Sequence, residues 1–374
     1  MLKKSFVALL FLGLLWACST DSENGPDNAP GEATFDRAPL LTNWADNIII
    51  PSYEAFLAQL ADLNGAFETF EANANADNLV ALRSAWAAAY TSWQRVSMFE
   101  IGPAESVGLR LNVNIYPTDS EKIAGHIASG NYDLSLSSNR DAKGFPALDW
   151  LINGLAEDDA AILGKYTGED REATLAYTAA VLEDMTMLTT NVLNEWKDNY
   201  RDTFVANDGA SATASVDRFV NDYIFYYEKF LRAGKMGIPL GVFSGTALPS
   251  HVEAYYDEEL SNALFLEGLD AVQDFFNGRH TGSSGQGESL ASYLDALNTV
   301  KDGEDLAAII NEQFNAARSS VTGLAPFKQE IQDNATPTNM LLAYDEVQKA
   351  VPLLKVDMVS AMSISIDFVD ADGD

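Results

Sequence analysis

The chain is poor in the residues that most often carry chemistry. In 374 residues it has one cysteine, Cys18, and three histidines, His126, His251 and His280. A single cysteine excludes an internal disulfide. No two histidines stand at the short spacing that sets two ligands on one helical face, so there is no histidine-based metal motif. Positive charge is also scarce: 23 Lys and Arg face 55 Asp and Glu, a formal charge of −32. Such a surface repels phosphate backbones, which argues against nucleic acid as a partner. Long apolar runs are missing as well. The stretch 6–16 falls short of the roughly 20 residues needed to cross a bilayer. There is no Gly-x-Ser-x-Gly nucleophile elbow, and Gly282-Ser283-Ser284-Gly285 lacks the lysine and the preceding strand of a phosphate-binding loop. Strand-like alternation occurs only at 363–368, which reads as a strand or an extended tail.

What is present begins with an export signal. Lys3 and Lys4 precede the short apolar run, and Leu15-Trp16-Ala17-Cys18 resembles a lipobox. Cleavage before Cys18 would leave that residue as an acylated N-terminus, a membrane tether needing no transmembrane helix. Residues 18–38 are rich in Ser, Asp, Glu, Asn, Pro and Gly and read as an acidic tether that buries no core. Asp21 and Glu23, close behind the cysteine, resemble signals that direct lipoproteins to the outer face of the cell.

The remainder reads as helices. Trp44, Ile48, Tyr53, Phe56, Leu60, Leu63, Phe67 and Phe70 recur mostly at three- and four-residue steps, with Pro51 set to kink or divide the run. Asp77 or Asn78 would cap a second helix, through Leu82, Trp86, Tyr90 and Trp93, that stops at Gly102-Pro103. Residues 104–117 look irregular, a short helix follows from Thr118 or Ser120, and 146–163 and 169–200 are helical. A polar break at 206–214 divides the chain. Beyond it, helices are expected at 216–235, 251–276, 290–300, 303–318 and 339–359, with irregular chain from Met236 to Gly241. The expected fold is all-α, two fused up-and-down four-helix-type bundles: signal 1–17, tether 18–38, first bundle 39–206, and second bundle 207–374 with an extended tail.

Six stretches, in order, resemble the imelysin-like family, which includes the insulin-cleaving membrane protease. They are the helix leading to Phe99-Glu100-Ile101-Gly102-Pro103; Tyr116-Pro117-Thr118-Asp119; the stretch 144–154; Lys235-Met236-Gly237-Ile238-Pro239-Leu240-Gly241; 252–261; and the acidic tail 367–374. The resemblance covers about residues 38–374. It implies two fused bundles with a functional site between them, and a likeness to periplasmic iron-uptake components, some members having been assigned peptidase activity. The family's Gly-x-His-x-x-Glu motif aligns with Gly144-Phe145-Pro146-Ala147-Leu148-Asp149. Pro146 therefore stands where the resemblance implies a histidine ligand, and Asp149 where it implies a glutamate.

Proline has no side-chain donor, and one aspartate is a poor transition-metal ligand set. The expectation is thus no catalytic residue and no resident cofactor. Gly144, Pro146, Asp149, Glu100, Tyr116, Lys235 and Glu253 are candidates for a groove between the bundles. Glu253 and Asp257, read as one helix turn apart, could take a hard cation such as Ca²⁺ or simply form a solvated acidic face. His126 reads as a surface or cap residue, His251 as a first-turn residue and His280 as part of a glycine-rich loop. The expected function is a lipid-anchored, non-catalytic binding protein of the cell envelope, in the outer membrane through Cys18, serving iron or other nutrient acquisition alongside envelope uptake partners. The alternative is a metallopeptidase with an atypical site holding a divalent or iron cation.

Overall fold

The computed structural model describes residues 35–334 and 336–367. The expected signal, the lipidation residue Cys18 and the tail 368–374 lie outside the described residues. Phe35, inside the stretch assigned to the tether by composition, is packed: its ring stacks on Tyr293 at 4.2 Å. The Arg37–Asn43 helix follows, capped by the Asp36 carboxylate accepting from the Ala38 N–H.

The protein is all-α. Among the described residues the only strands are Val300–Lys301 and Glu304–Asp305, a two-residue-deep hairpin. It falls at the start of the helix expected from 303, which instead runs Leu306–Thr322. Ser363 is in a left-handed turn at φ 55°, and residues 364–367 have no regular secondary structure. The alternation there reflects a tail lying on another helix: Asn221 donates to the Ser365 carbonyl and accepts from the Asp367 N–H.

In the first half, Ile50–Ala72 packs against Ala76–Trp93 and Arg171–Glu195. The buried stripe of Ile50–Ala72 is the one the periodicity marks, Tyr53, Phe56, Leu60, Leu63, Phe67 and Phe70. Pro51 sits at the start of this α segment, just after a π-helical turn, Trp44–Ile49, where a missing N–H costs least. Asn75 caps the second helix by accepting from the Asn78 N–H, one turn earlier than Asp77 or Asn78 would. Residues expected to be irregular form two one-turn helices, Pro103–Val107 and Leu109–Val113. The expected helix 146–163 is three pieces: Gly144–Asp149, a π turn Trp150–Gly154, and Asp159–Thr167.

In the second half, Ser215–Phe225 continues into a π-helical stretch, Tyr226–Gly237, that packs with Ser261–Phe276 and Thr338–Gln348, and its Tyr227 ring lies 5.8 Å from Phe314 of Leu306–Thr322. Met236 and Gly237 belong to that stretch, and Ile238–Leu240 is helical before Gly241 turns at φ 77°. The expected helix 251–276 begins only at Ser261. Residues 252–260 are turns, with Ala254 at φ 56° and Glu258 at φ 72°, values an α-helix cannot contain. Core residues from both halves touch. Trp44 lies 5.2 Å from Phe219 and 4.9 Å from Phe275, and Phe99 lies 5.9 Å from each of the same two rings.

Candidate functional site

The helix that begins at Gly144 is held by three contacts. Gly144 has φ 75°, and a Cβ there would sit 2.1 Å from the Val113 carbonyl oxygen, so only glycine lets the chain pass under that strand of backbone. The Phe145 ring stacks on Tyr90, centroids 4.4 Å apart and 7° from parallel, and the Trp86 indole N–H donates to the Phe145 carbonyl. Pro146 falls in the first turn, where no intrahelical partner awaits its nitrogen. Asp149 comes one turn later and is 1 % exposed.

The non-helical stretch from the second half closes over this turn. The Tyr256 N–H donates to Asp149 Oδ2 at 2.8 Å, and Asn153 donates to Oδ1 at 2.9 Å. The Tyr256 ring lies against Gly154, where a Cβ would be 2.2 Å from it. Between the two lies a cavity of about 90 Å³, with Tyr116, Pro146 and Asp149 on one side and Val252, Tyr255 and Tyr256 on the other. Liquid water occupies about 30 Å³ per molecule, so the space suits a few waters or one hydrated ion and is below the several hundred Å³ of drug-sized ligand sites. Burial pushes the Asp149 carboxyl up to about 7, against the pull of the N–H donors from Tyr256 and Asn153.

Behind the cavity wall lies a buried polar chain. Glu253, also 1 % exposed, accepts from the Lys235 ammonium through Oε2, and through Oε1 from Asn114 at 2.7 Å and Gln94 at 3.3 Å. The Tyr90 hydroxyl in turn donates to Asn114 Oδ1 at 2.5 Å. One path of stacking, hydrogen bonds and ion pairing thus runs from Phe145, beside Pro146, to Lys235 in the second half. Burial lowers the Lys235 pKa, with Glu253 opposing. Burial, then the Glu253 charge, raises that of Tyr116 well above its usual value. The Tyr116-Pro117 peptide bond is cis.

Of the residues singled out from sequence, Tyr116, Pro146 and Asp149 line this cavity, Glu253 and Lys235 pair behind it, and Gly144 shapes the helix that carries it. Glu253 is not on a helix face with Asp257 and is not solvated; the left-handed residue next to it turns its side chain inward to Lys235. Glu100 lies elsewhere. Its Oε2 accepts from the Arg110 N–H at 2.9 Å, and its own N–H donates to Asp222, which is paired with the Arg110 guanidinium. These carboxylates border a separate space of about 180 Å³. Burial pushes Glu100 up to about 7, with Arg110 opposing. Sequence reasoning missed Tyr90, Gln94, Asn114 and Tyr256. Tyr90 carries an ordinary core signature, and a polar residue in a loop gives no sign that its partner will be buried.

A metal of the kind the histidine–glutamate motif would hold does not fit these residues. Pro146 offers no donor, and Asp149 is the only carboxylate among the residues lining the cavity. No histidine lines the cavity. His126 packs against Tyr177 with Nδ1 3.3 Å from its hydroxyl, His251 is in a one-turn 3₁₀ segment, and His280 lies in the loop after Phe276. Among the described residues no three His, Cys, Asp or Glu side chains converge as a metal site.

Comparison with known proteins agrees with the order of motifs. The family profile described as Imelysin matches residues 49–352. A curated protein named iron-regulated protein A, from Synechococcus elongatus, is 29 % identical over 124 residues. That match spans 32 % of this chain and 33 % of the relative, about a third of each. Among solved structures, a protein described as an iron-regulated protein A precursor from Parabacteroides distasonis superimposes with a TM-score of 0.70 at 16 % identity, covering 89 % of this chain and 97 % of that one. An imelysin-like protein from Psychrobacter arcticum gives 0.68 at 17 % identity over the same shares. At such identities these structures speak to the fold alone.

Proposed function

The chain belongs to the imelysin family, and from that premise we propose that it is a non-catalytic binding protein of the cell envelope, lipid-anchored at Cys18 and serving iron or other nutrient acquisition. One observation carries the non-catalytic part. The turn aligned with the family's metal motif presents a proline ring and a carboxylate whose two oxygens accept from N–H donors of Tyr256 and Asn153. A metallopeptidase needs a metal with an open coordination position and a base beside it, and a proline ring with one carboxylate does not supply the ligand set for the metal. The link to iron rests on the name of the Synechococcus relative, extended here as a reading of this chain. The anchor rests on the lipobox-like residues that end at Cys18.

On this reading the scaffold persists while the metal chemistry has lapsed. Ligand is held in a groove where elements of both halves meet.

Metal analysis of the chain decides against the metallopeptidase alternative or for it. Chelator-treated protein is incubated with Zn²⁺ or Fe²⁺, separated from free metal by gel filtration, and analysed by mass spectrometry. The expected result is far less than one metal per chain, unchanged in Asp149→Ala. One tightly held metal per chain, lost in Asp149→Ala, overturns the proposal.

A further inference from the structure

A larger groove lies apart from the Asp149 cavity, where the turn after Trp93 meets the loop after Phe276. Its volume is about 450 Å³, within the range of small-molecule sites. Two arginines line it side by side, Arg95 from the first half and Arg279 from the second. A single carboxylate sets them. Asp274 accepts from Arg95 Nη1 at 3.0 Å through Oδ2 and from Arg279 Nη1 at 2.9 Å through Oδ1. Arg95 Nε also donates to Glu267. Each guanidinium carries five N–H donors, so several on each remain without a protein acceptor among the described residues. The side chains are open to solvent, 38 % for Arg95 and 60 % for Arg279. Asp274 and Glu267 balance the two arginine charges, so what the groove offers a ligand is the remaining guanidinium N–H donors rather than an excess of positive charge.

The wall that carries Arg279 is pinned in place. The Thr281 N–H donates to the Asn47 carbonyl at 2.9 Å, the Thr281 hydroxyl is 2.8 Å from that of Ser52, and Asn43 donates to the Gly278 carbonyl at 3.2 Å. A site whose two walls are already tied loses little freedom when a ligand enters. Met98, Phe99 and Phe275 supply apolar lining to the same groove. Planar guanidinium forks match carboxylates in a bidentate fashion.

We propose that this groove binds a small organic polycarboxylate, one carboxylate engaging each arginine and the carbon body lying against the apolar lining. Asp274 acts as the positioning residue that holds the two forks in register. Binding of a metal-free ligand here does not depend on whether the protein handles iron, nor on the state of the Asp149 cavity.

Calorimetric titration with metal-free citrate tests it, near 0.15 M ionic strength so that the repulsion of the acidic surface is screened beyond about 8 Å. The expected result is saturable one-to-one binding with a Kd below about 1 mM. It should weaken about tenfold or more in Arg279→Gln, the loss expected for one charge-assisted pair, and stay unchanged in Lys165→Gln, which alters an exposed side chain outside the groove. Arg279 is a surface side chain, so its variant folds; Arg95→Gln provides the second arm and should weaken binding similarly. Three results overturn the proposal: no saturable citrate binding in this range, wild-type affinity retained in both arginine variants, or inorganic phosphate competing as well as citrate.

Discussion

At the scale of single residues, the two carboxyls pushed up to about 7, Asp149 and Glu100, make stability depend on pH in an unusual direction. A surface aspartate titrates near 3.8 and a glutamate near 4.5. The folded protein therefore holds protons here that the unfolded chain releases, and between about pH 4 and 7 the native state binds more protons than the unfolded one. Stability from these groups is complete at pH below the unfolded values and is lost as pH rises through about 7. Melting curves at intervals from pH 4.5 to 8 should show a falling midpoint. In Asp149→Asn, which cannot ionise, the fall should be shallower. Identical slopes for wild type and variant would mean that Asp149 titrates as an ordinary surface acid. The same proton disfavours metal at this position, since a ligating carboxylate must first release it.

At the scale of elements, the Lys235–Glu253 pair joins the π-helical Tyr226–Gly237 stretch to the turns at 252–260. Removing one partner leaves a buried charge alone, at a cost of about 3–5 kcal/mol. Glu253→Ala should lower stability to denaturant by that amount. The double variant Glu253→Leu with Lys235→Met, which buries no charge, should recover most of it. A double variant no better than the single one would show that Asn114 and Gln94, rather than Lys235, carry the interaction. These elements also show what the sequence makes legible. Long helices such as Ile50–Ala72 follow from aromatic and leucine residues at helical spacing, because that spacing is itself the packing constraint. The segment 251–260 misleads for a physical reason. Ser250 followed by Val252, Glu253 and a run of acids looks like a capped helix start, yet Glu253 must face Lys235, and Ala254 and Glu258 take left-handed conformations to deliver it. The π turns at Trp44–Ile49, Trp150–Gly154 and Tyr226–Gly237 leave no periodic trace, since each departs from the usual register for only a turn or a few. Gly144, Pro146 and Asp149 stand out by family motif, whereas Tyr256 completes the cavity through a backbone N–H that any residue carries.

At the scale of the whole molecule, the first helices of the chain rest on the last half of it. Trp44 is fully buried between Phe219 and Phe275, so its loss should be felt throughout. Trp44→Ala should cost about 3–5 kcal/mol and shift one common transition, with helical content and aromatic signals melting together. A first half that keeps its own unchanged midpoint would show the halves to be energetically separate. Ahead of Trp44, the Arg37 guanidinium meets the Asp217 carboxylate at 2.9 Å and the Tyr293 hydroxyl at 2.8 Å, partners 180 and 256 residues away. Tension applied to the N-terminal end therefore does not begin by peeling neighbouring helices. Among the described residues it enters through the Phe35 ring on Tyr293 and then this clasp, and bears on helices distant in sequence, so that an anchor at that end would load contacts far along the chain before it loads neighbouring helices.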